Sequence, residues 1–146
     1  MRIRIFFIMK KLLFKYYPVA INIYTIWMLY MLFFAFNRDV DGIQYKINPY
    51  PFQSISNFIS ITASNFEILK NLGGNVVLFI PYGFLGILYP KLNHYRYLLI
   101  TFFIGINYIE FSQYIFNRGF AEFDDVMLNT FGMTLGFLFY QKSKVK

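Results

Sequence analysis

At residues 95–116 the sequence reads YRYLLITFFIGINYIEFSQYIF, a mostly apolar stretch of the length that a membrane helix needs. Crossing the hydrocarbon core of a bilayer takes roughly 20 apolar residues. Three other stretches approach that length, at residues 19–36, 73–89 and 123–140. The stretches at 73–89 and 123–140 are near the short limit, so they need a thinner bilayer or the support of a bundle. The pattern predicts an all-α integral membrane protein with four transmembrane helices.

The overall composition also favours a bilayer as the solvent. Of the 146 residues, 58% are hydrophobic and 14% are charged, whereas an ordinary soluble domain has roughly 25% charged residues. A soluble domain of about 150 residues leaves roughly a third of its chain surface in water, so it could not hide this much apolar surface. Cysteine is absent, which excludes disulfides, thiolate catalysis and Cys-ligated metals.

The basic residues predict how the spans are oriented, because cytoplasmic segments retain Lys and Arg. The net charge of +7 reflects this topology rather than a nucleic-acid-binding patch, which would need a soluble fold. Both termini should be cytoplasmic, and the loops 37–72 and 117–124 should face outside. The basic residues on the cytoplasmic side, where no acid accompanies them, are Arg2, Arg4, Lys10, Lys11, Lys15, Lys91, Arg96, Lys142, Lys144 and Lys146.

Three segments outside the spans have their own predicted roles. Residues 1–18 form a basic amphipathic segment suited to the cytoplasmic interface, and residues 141–146 form a basic cytoplasmic tail. A signal peptide is the alternative at the N-terminus, but no small-residue cleavage motif follows the first span. In the long outer loop, helical spacing predicts an amphipathic helix on the outer face, with its apolar side formed by Phe52, Ile55, Ile59 and Phe66.

Polar residues within the apolar stretches mark a candidate ligand site. Glu110 is the one acid away from the ends of the spans, and a carboxylate in hydrocarbon is costly unless it is paired, protonated or turned toward water. At 1.5 Å per residue, Glu110 should lie roughly 9 Å below the outer surface, and Asn129 of the fourth span should lie at about the same depth. Their helical neighbours and the adjoining loop add further polar groups. The predicted pocket is lined by Asn75, Glu110, Gln113, Arg118, Asp125 and Asn129.

These residues also have a purely structural interpretation. Polar side chains join membrane helices by hydrogen bonds, so Glu110 and Gln113 could simply bond Asn129 across an interface. Asp125 could cap the fourth helix. Six polar residues at one depth favour a ligand site, because joining helices does not require an acid, a base and amides together. The acids beside the fourth span are more typical of a solvated face, so neither a metal nor a cofactor is predicted.

Proline and glycine positions predict where the helices bend and pack closely. Pro81 should kink the second span because it lacks a backbone donor, and Gly83 permits a neighbouring helix to approach. Gly132 and Gly136 form a small-xxx-small pair on the fourth span. That face packs either within the chain or against a second copy in a homo-oligomer.

Several of these residues occur in a familiar order. Asn75, Phe79, Pro81 and Gly83 have the spacing N-x-x-x-F-x-P-x-G, which resembles a motif of the VanZ-like membrane protein family. The stretch at residues 47–52, INPYPF, is similar to the N-x-x-P-F segment of that family. A second signature of the family contains one Asp, whereas this chain has two adjacent acids, Asp124 and Asp125. The spacing to Asn129 selects Asp125 as the equivalent residue. The family's second signature is similar to Ile109, Glu110, Gln113, Arg118, Asp125, Val126, Asn129, Thr130 and Gly132.

The resemblance implies a small multi-pass protein of the bacterial cytoplasmic membrane, in a family whose founding member is associated with resistance to the glycopeptide antibiotic teicoplanin. The first hypothesis is a non-enzymatic envelope protein that binds a membrane lipid or a lipid-linked cell-wall precursor in the polar pocket. The second is a membrane enzyme acting on a lipid-linked substrate with Glu110 as general base. No Ser-His or Cys-His pair and no phosphate-binding glycine loop accompany it in the sequence. The third is a structural partner subunit.

Overall fold

The computed structural model describes residues 2–34, 47–48, 50–52, 55–56, 65–118 and 121–144. Over these ranges the chain forms four α-helices: α1 (Arg2–Phe33), α2 (Asn65–Phe79), α3 (Tyr95–Ile115) and α4 (Phe123–Lys144). Two short strands, β1 (Ile47–Asn48) and β2 (Ala121–Glu122), pair in parallel. The prediction of a mostly helical protein is confirmed.

Two of the helices have the length and apolar composition needed to cross a membrane, over Phe14–Phe33 in α1 and Tyr95–Ile115 in α3. A shorter apolar helical stretch covers Leu72–Ile87. Both long helices turn large apolar side chains outward, among them Ile26 with 70% and Ile104 with 65% of its surface exposed. Contiguous apolar surface of this kind is typical of a protein that lies in a membrane.

α1 is continuous from Arg2 to Phe33, with Pro18 inside it. The sequence pattern predicts a boundary at residue 18, between an interfacial segment and the first span. Because Pro18 has no N–H, the carbonyl one turn before it loses its helical donor, yet the helix does not end there. The basic segment and the first span therefore form one long helix.

The described part of the outer loop agrees only in part with the predicted amphipathic helix. Ile55 and Ser56 are helical, and the N–H of Ser56 donates to the carbonyl of Phe52 at 2.8 Å. Phe52 has a φ of 64°, which belongs to the left-handed region that a bulky residue rarely adopts. It therefore lies in a turn rather than on a helical face. Phe66 belongs to α2, which begins at Asn65, and Ile59 is outside the described residues.

α2 gives way to a 3₁₀ helix, Ile80–Ile87, at the position of Pro81. In 3₁₀ geometry the N–H of Pro81 would donate to the carbonyl of Leu78, but proline has no such donor. The hydroxyl of Tyr24 in α1 donates to that carbonyl instead, at 2.7 Å. The hydroxyl of Tyr17 donates to the carbonyl of Pro81 at 2.9 Å. Tyrosines of α1 thus bind backbone carbonyls around the proline.

The closest helix packing lies between α4 and the segment running from α2 into the 3₁₀ helix. A Cβ added to Gly132 would collide with the carbonyl of Val76, and one added to Gly136 would collide with the carbonyl of Ile80. This face of α4 is therefore occupied by the chain's own backbone. The apolar core beside it consists of Met28, Phe79, Leu98, Phe102, Ile106, Val126, Met133 and Phe137.

Candidate functional site

The fold gathers the predicted polar residues toward one end of the molecule, which we call the acidic end because Glu122, Asp124 and Asp125 lie there. The last turn of α3, strand β2 and the first turn of α4 follow one another at this end, and β2 pairs with β1. Phe33 of α1 and Phe116, which follows α3, form an edge-to-face pair with ring centroids 6.4 Å apart. The end of α1 is thus held beside the end of α3.

Asn75 and Asp125 are in direct contact. The Nδ2 amide of Asn75 donates to Oδ1 of Asp125 at 2.8 Å, and both side chains are half-buried. This bond joins α2 to the first turn of α4. The N-terminal turn of a helix is also where the helix dipole favours negative charge. The contact thus fixes a carboxyl group at the acidic end.

Glu110 and Gln113 lie on the core-facing side of α3, with only 7% and 5% of their surfaces exposed. They extend the buried apolar side of this helix, which includes Ile106 one turn earlier. The Nε2 amide of Gln113 donates to the carbonyl of Leu32 at 3.1 Å. Gln113 therefore fastens α3 to α1.

Asn129 lies on the core-facing side of α4 and is 4% exposed. Within the part of the chain that the structure describes, its Oδ1 accepts no hydrogen bond, and neither does the buried hydroxyl oxygen of Thr130. Buried polar atoms in proteins almost always have a partner. A buried acceptor of this kind is suited to a water molecule or to a donor group of a ligand.

Arg118 is positioned by the way in which α3 ends. Asn117 adopts a left-handed φ of 56°, and its N–H donates to the carbonyl of Tyr114 at 3.2 Å. The N–H of Arg118 donates to the carbonyl of Gln113 at 2.8 Å. These two bonds form a Schellman motif, in which Asn is the usual substitute for Gly. Arg118 is thus held directly beyond the buried turn of α3.

Asp124 has a different role from its neighbour Asp125. It is 2% exposed, and its Oδ1 accepts a hydrogen bond from the backbone N–H of Phe52 at 2.5 Å. Its Oδ2 accepts one from the N–H of Ile55 at 3.1 Å. The carboxylate therefore fastens the loop after β1 to the start of α4. We keep Asp125 as the candidate ligand-binding acid and treat Asp124 as a residue that positions the loop.

Asp124→Asn should destabilise the protein more than Asp125→Asn does. An Asn at position 124 would turn its NH₂ group toward one of the two backbone donors, which loses a charge-assisted hydrogen bond at a cost of about 2–3 kcal/mol. An Asn at position 125 can still accept the bond from Asn75. Thermal unfolding of the purified variants in detergent measures the difference. Equal losses of Tm would show that the loop contact does not contribute to stability.

In the described ranges, no group of three or more His, Asp or Glu side chains is placed to hold a metal ion. The arrangement instead combines carboxyl groups, carboxamides and a guanidinium at the end of an apolar bundle. Such groups can form hydrogen bonds and ion pairs with a polar headgroup.

Two helices long and apolar enough to cross a membrane, together with outward-facing apolar side chains, are typical of a helical membrane protein. The family model for VanZ/LLP1 matches residues 21–144, and the chain belongs to this family. Neither the search of curated proteins nor that of solved structures gave a match. The resemblance noted in the sequence is therefore confirmed, and VanZ itself is linked to teicoplanin resistance.

Proposed function

We propose that this protein binds a membrane lipid or a lipid-linked cell-wall precursor at its acidic end, and so lowers the sensitivity of the cell to teicoplanin-type lipoglycopeptides. The observation that carries the proposal is the buried Oδ1 of Asn129, which no described protein group satisfies. A residue that only joined helices would have this acceptor paired. A ligand with a hydroxyl, amide or ammonium donor would pair with it instead.

The other polar residues have complementary roles in this proposal. Glu110 and Asp125 supply negative charge, and Arg118 binds a phosphate or carboxylate, which guanidinium groups recognise by two parallel hydrogen bonds. The carboxamides of Asn75 and Gln113 orient the ligand.

A membrane enzyme acting on a lipid-linked substrate is the second candidate function. The burial of Glu110 at 7% exposure favours it, because a carboxylate held away from water can serve as a general base. A structural partner subunit is the third. Both alternatives use the same residues. An enzyme would leave a bound lipid chemically changed, whereas a structural subunit would bind no lipid.

Teicoplanin susceptibility tests the proposed function directly. A susceptible bacterium that expresses this chain should require a higher inhibitory concentration of teicoplanin than the same strain with an empty vector. An unchanged inhibitory concentration, with the protein present in the membrane, would contradict the proposal.

For the topology we propose four spans, formed by α1, by α2 with its 3₁₀ extension, by α3 and by α4, with both termini in the cytoplasm. Outward-facing apolar residues on the second and fourth of these segments support this arrangement: Val77 is 63% exposed, and Leu138 of α4 is 58% exposed. The charge distribution supports the direction. The acidic end then faces the outside of the cytoplasmic membrane.

Cysteine labelling tests this topology, and the natural absence of Cys removes any background. Glu122→Cys should react with a membrane-impermeant thiol reagent in intact cells. His94→Cys should react only after the cells are permeabilised. The reverse pattern would place the acidic end in the cytoplasm and remove it from the outer leaflet.

A further inference from the structure

The end of the molecule opposite the acidic end carries a concentration of positive charge. No Asp or Glu occurs in residues 1–38, 68–109 or 126–146. We call this the basic end, and its exposed cations in the described residues are Lys11, Lys15, Lys91, Arg96, Lys142 and Lys144.

Contacts between three segments bring these cations to one level of the bundle. The ring of Phe14 in α1 lies 6.3 Å from the ring of Tyr140 in α4. The side-chain amide of Gln141 donates to the carbonyl of Asn93, in the turn before α3, at 2.9 Å. The ammonium of Lys144 donates to Oδ1 of Asn93. The stretch of α1 around Phe14, the turn before α3 and the end of α4 therefore meet at the basic end.

The ammonium of Lys144 is held in place by its surroundings. Its Nζ lies 4.3 Å from the centroid of the Tyr140 ring, a cation–π arrangement. Asn93 is itself fixed, because its Nδ2 donates to the carbonyl of Gly86 at 3.2 Å. A lysine that is already ordered loses less conformational entropy when it binds an anion than a freely rotating lysine does.

Exposed tyrosines accompany the cations. Tyr16 is 55% exposed, Tyr89 is 59% exposed and Tyr97 is 56% exposed. Tyrosine is enriched where a bilayer meets water, because its ring is apolar and its hydroxyl is polar. The tyrosines thus indicate that the neighbouring ammonium and guanidinium groups stand at the level of the lipid headgroups.

We propose that the basic end is a binding surface for anionic phospholipid headgroups of the leaflet that it faces. A cluster of roughly 4–8 Lys and Arg beside a membrane helix attracts anionic lipids, and the described cations fall within that range. The partner is a lipid rather than a soluble anion, since the tyrosines and the apolar helix faces beside the cations fit the acyl region below the phosphate. The surface shares no residue with the site proposed at the acidic end, so either can fail without the other.

Titration of purified full-length protein in detergent with phosphatidylglycerol or phosphatidylcholine, followed by native mass spectrometry, tests this surface. Phosphatidylglycerol should bind more tightly, and its affinity should fall with rising salt. The triple variant Lys91→Gln, Lys142→Gln and Lys144→Gln should bind it roughly tenfold to a hundredfold more weakly. The matched triple variant with Arg at the same positions keeps the charge and should retain binding.

Three results would overturn the proposal: equal affinity for the two lipids, unchanged phosphatidylglycerol binding by the Gln variant, or displacement of the lipid by inorganic phosphate at equal concentration. The last would assign the surface to a soluble anion. If the Gln variant fails to fold, the lipid preference and salt dependence of the wild-type protein still decide the question.

Discussion

Replacing Gly136 with Leu should prevent the protein from accumulating in the membrane. A single Cβ at this position already collides with the carbonyl of Ile80, and a backbone atom cannot rotate away as a side chain can. Accommodating Leu would separate α4 from the 3₁₀ helix and open the core beside it. Overpacking alone costs about 1–3 kcal/mol, and separating the helices adds to that cost, against a total stability of roughly 5–15 kcal/mol in a typical protein.

Gly105→Ala on α3 is the matched control for this prediction. A Cβ added at Gly105 meets nothing within 4 Å, and Ala favours a helix over Gly by about 1 kcal/mol. This variant should accumulate at least as well as the wild-type protein. Abundance in isolated membranes and Tm in detergent measure both variants. Normal accumulation of Gly136→Leu would mean that α4 does not pack against the 3₁₀ helix at this position.

Glu110→Gln and Arg118→Ala should accumulate normally but lose most of any protection against teicoplanin. Gln keeps the size of Glu110 and much of its hydrogen bonding while removing its charge, so a residue that only joins helices should tolerate the change. At position 118, Ala keeps the backbone N–H that caps α3. The measurement is the inhibitory concentration of teicoplanin at matched protein abundance.

Phe79→Ala is the control that separates folding from function. Phe79 is 3% exposed and forms an edge-to-face pair with Phe102 at 5.7 Å between centroids. Truncating a buried Phe costs about 3–5 kcal/mol, so this variant should chiefly lose abundance. If the two polar variants protect cells as well as the wild-type protein does, the polar residues serve to join helices and the ligand site is wrong.

The apolar pattern of the sequence was sufficient to locate the later helices. The predicted span at residues 95–116 corresponds to Tyr95–Ile115, and that at 123–140 lies within Phe123–Lys144. Hydrophobic runs reveal the part of a helix that lies in an apolar environment. They do not reveal its polar extension, so the start of α2 at Asn65 was missed by eight residues.

Contacts between distant segments were beyond the reach of sequence patterns. Pro81 indicated that a carbonyl would lack its helical donor, but nothing local showed that Tyr24 would supply the bond. The doubled acid at 124 and 125 gave no sign that Asp124 binds a loop some 70 residues earlier along the chain. The left-handed Asn117 that ends α3 was also missed, although Asn after a helix is a local stop signal that the sequence does show.

Lipid analysis of natively purified protein tests the ligand site most directly. The wild-type protein and the Gly105→Ala control should each copurify with a defined lipid or precursor, detected by mass spectrometry, and the Glu110→Gln protein should lose it. The Lys-to-Gln triple variant of the basic end should keep that ligand. This result would distinguish a ligand of the acidic end from headgroups bound at the basic end. A chemically altered lipid that appears only with an intact Glu110 would support the enzyme instead. An identical set of lipids on the wild-type and Glu110→Gln proteins would contradict a ligand site at the acidic end.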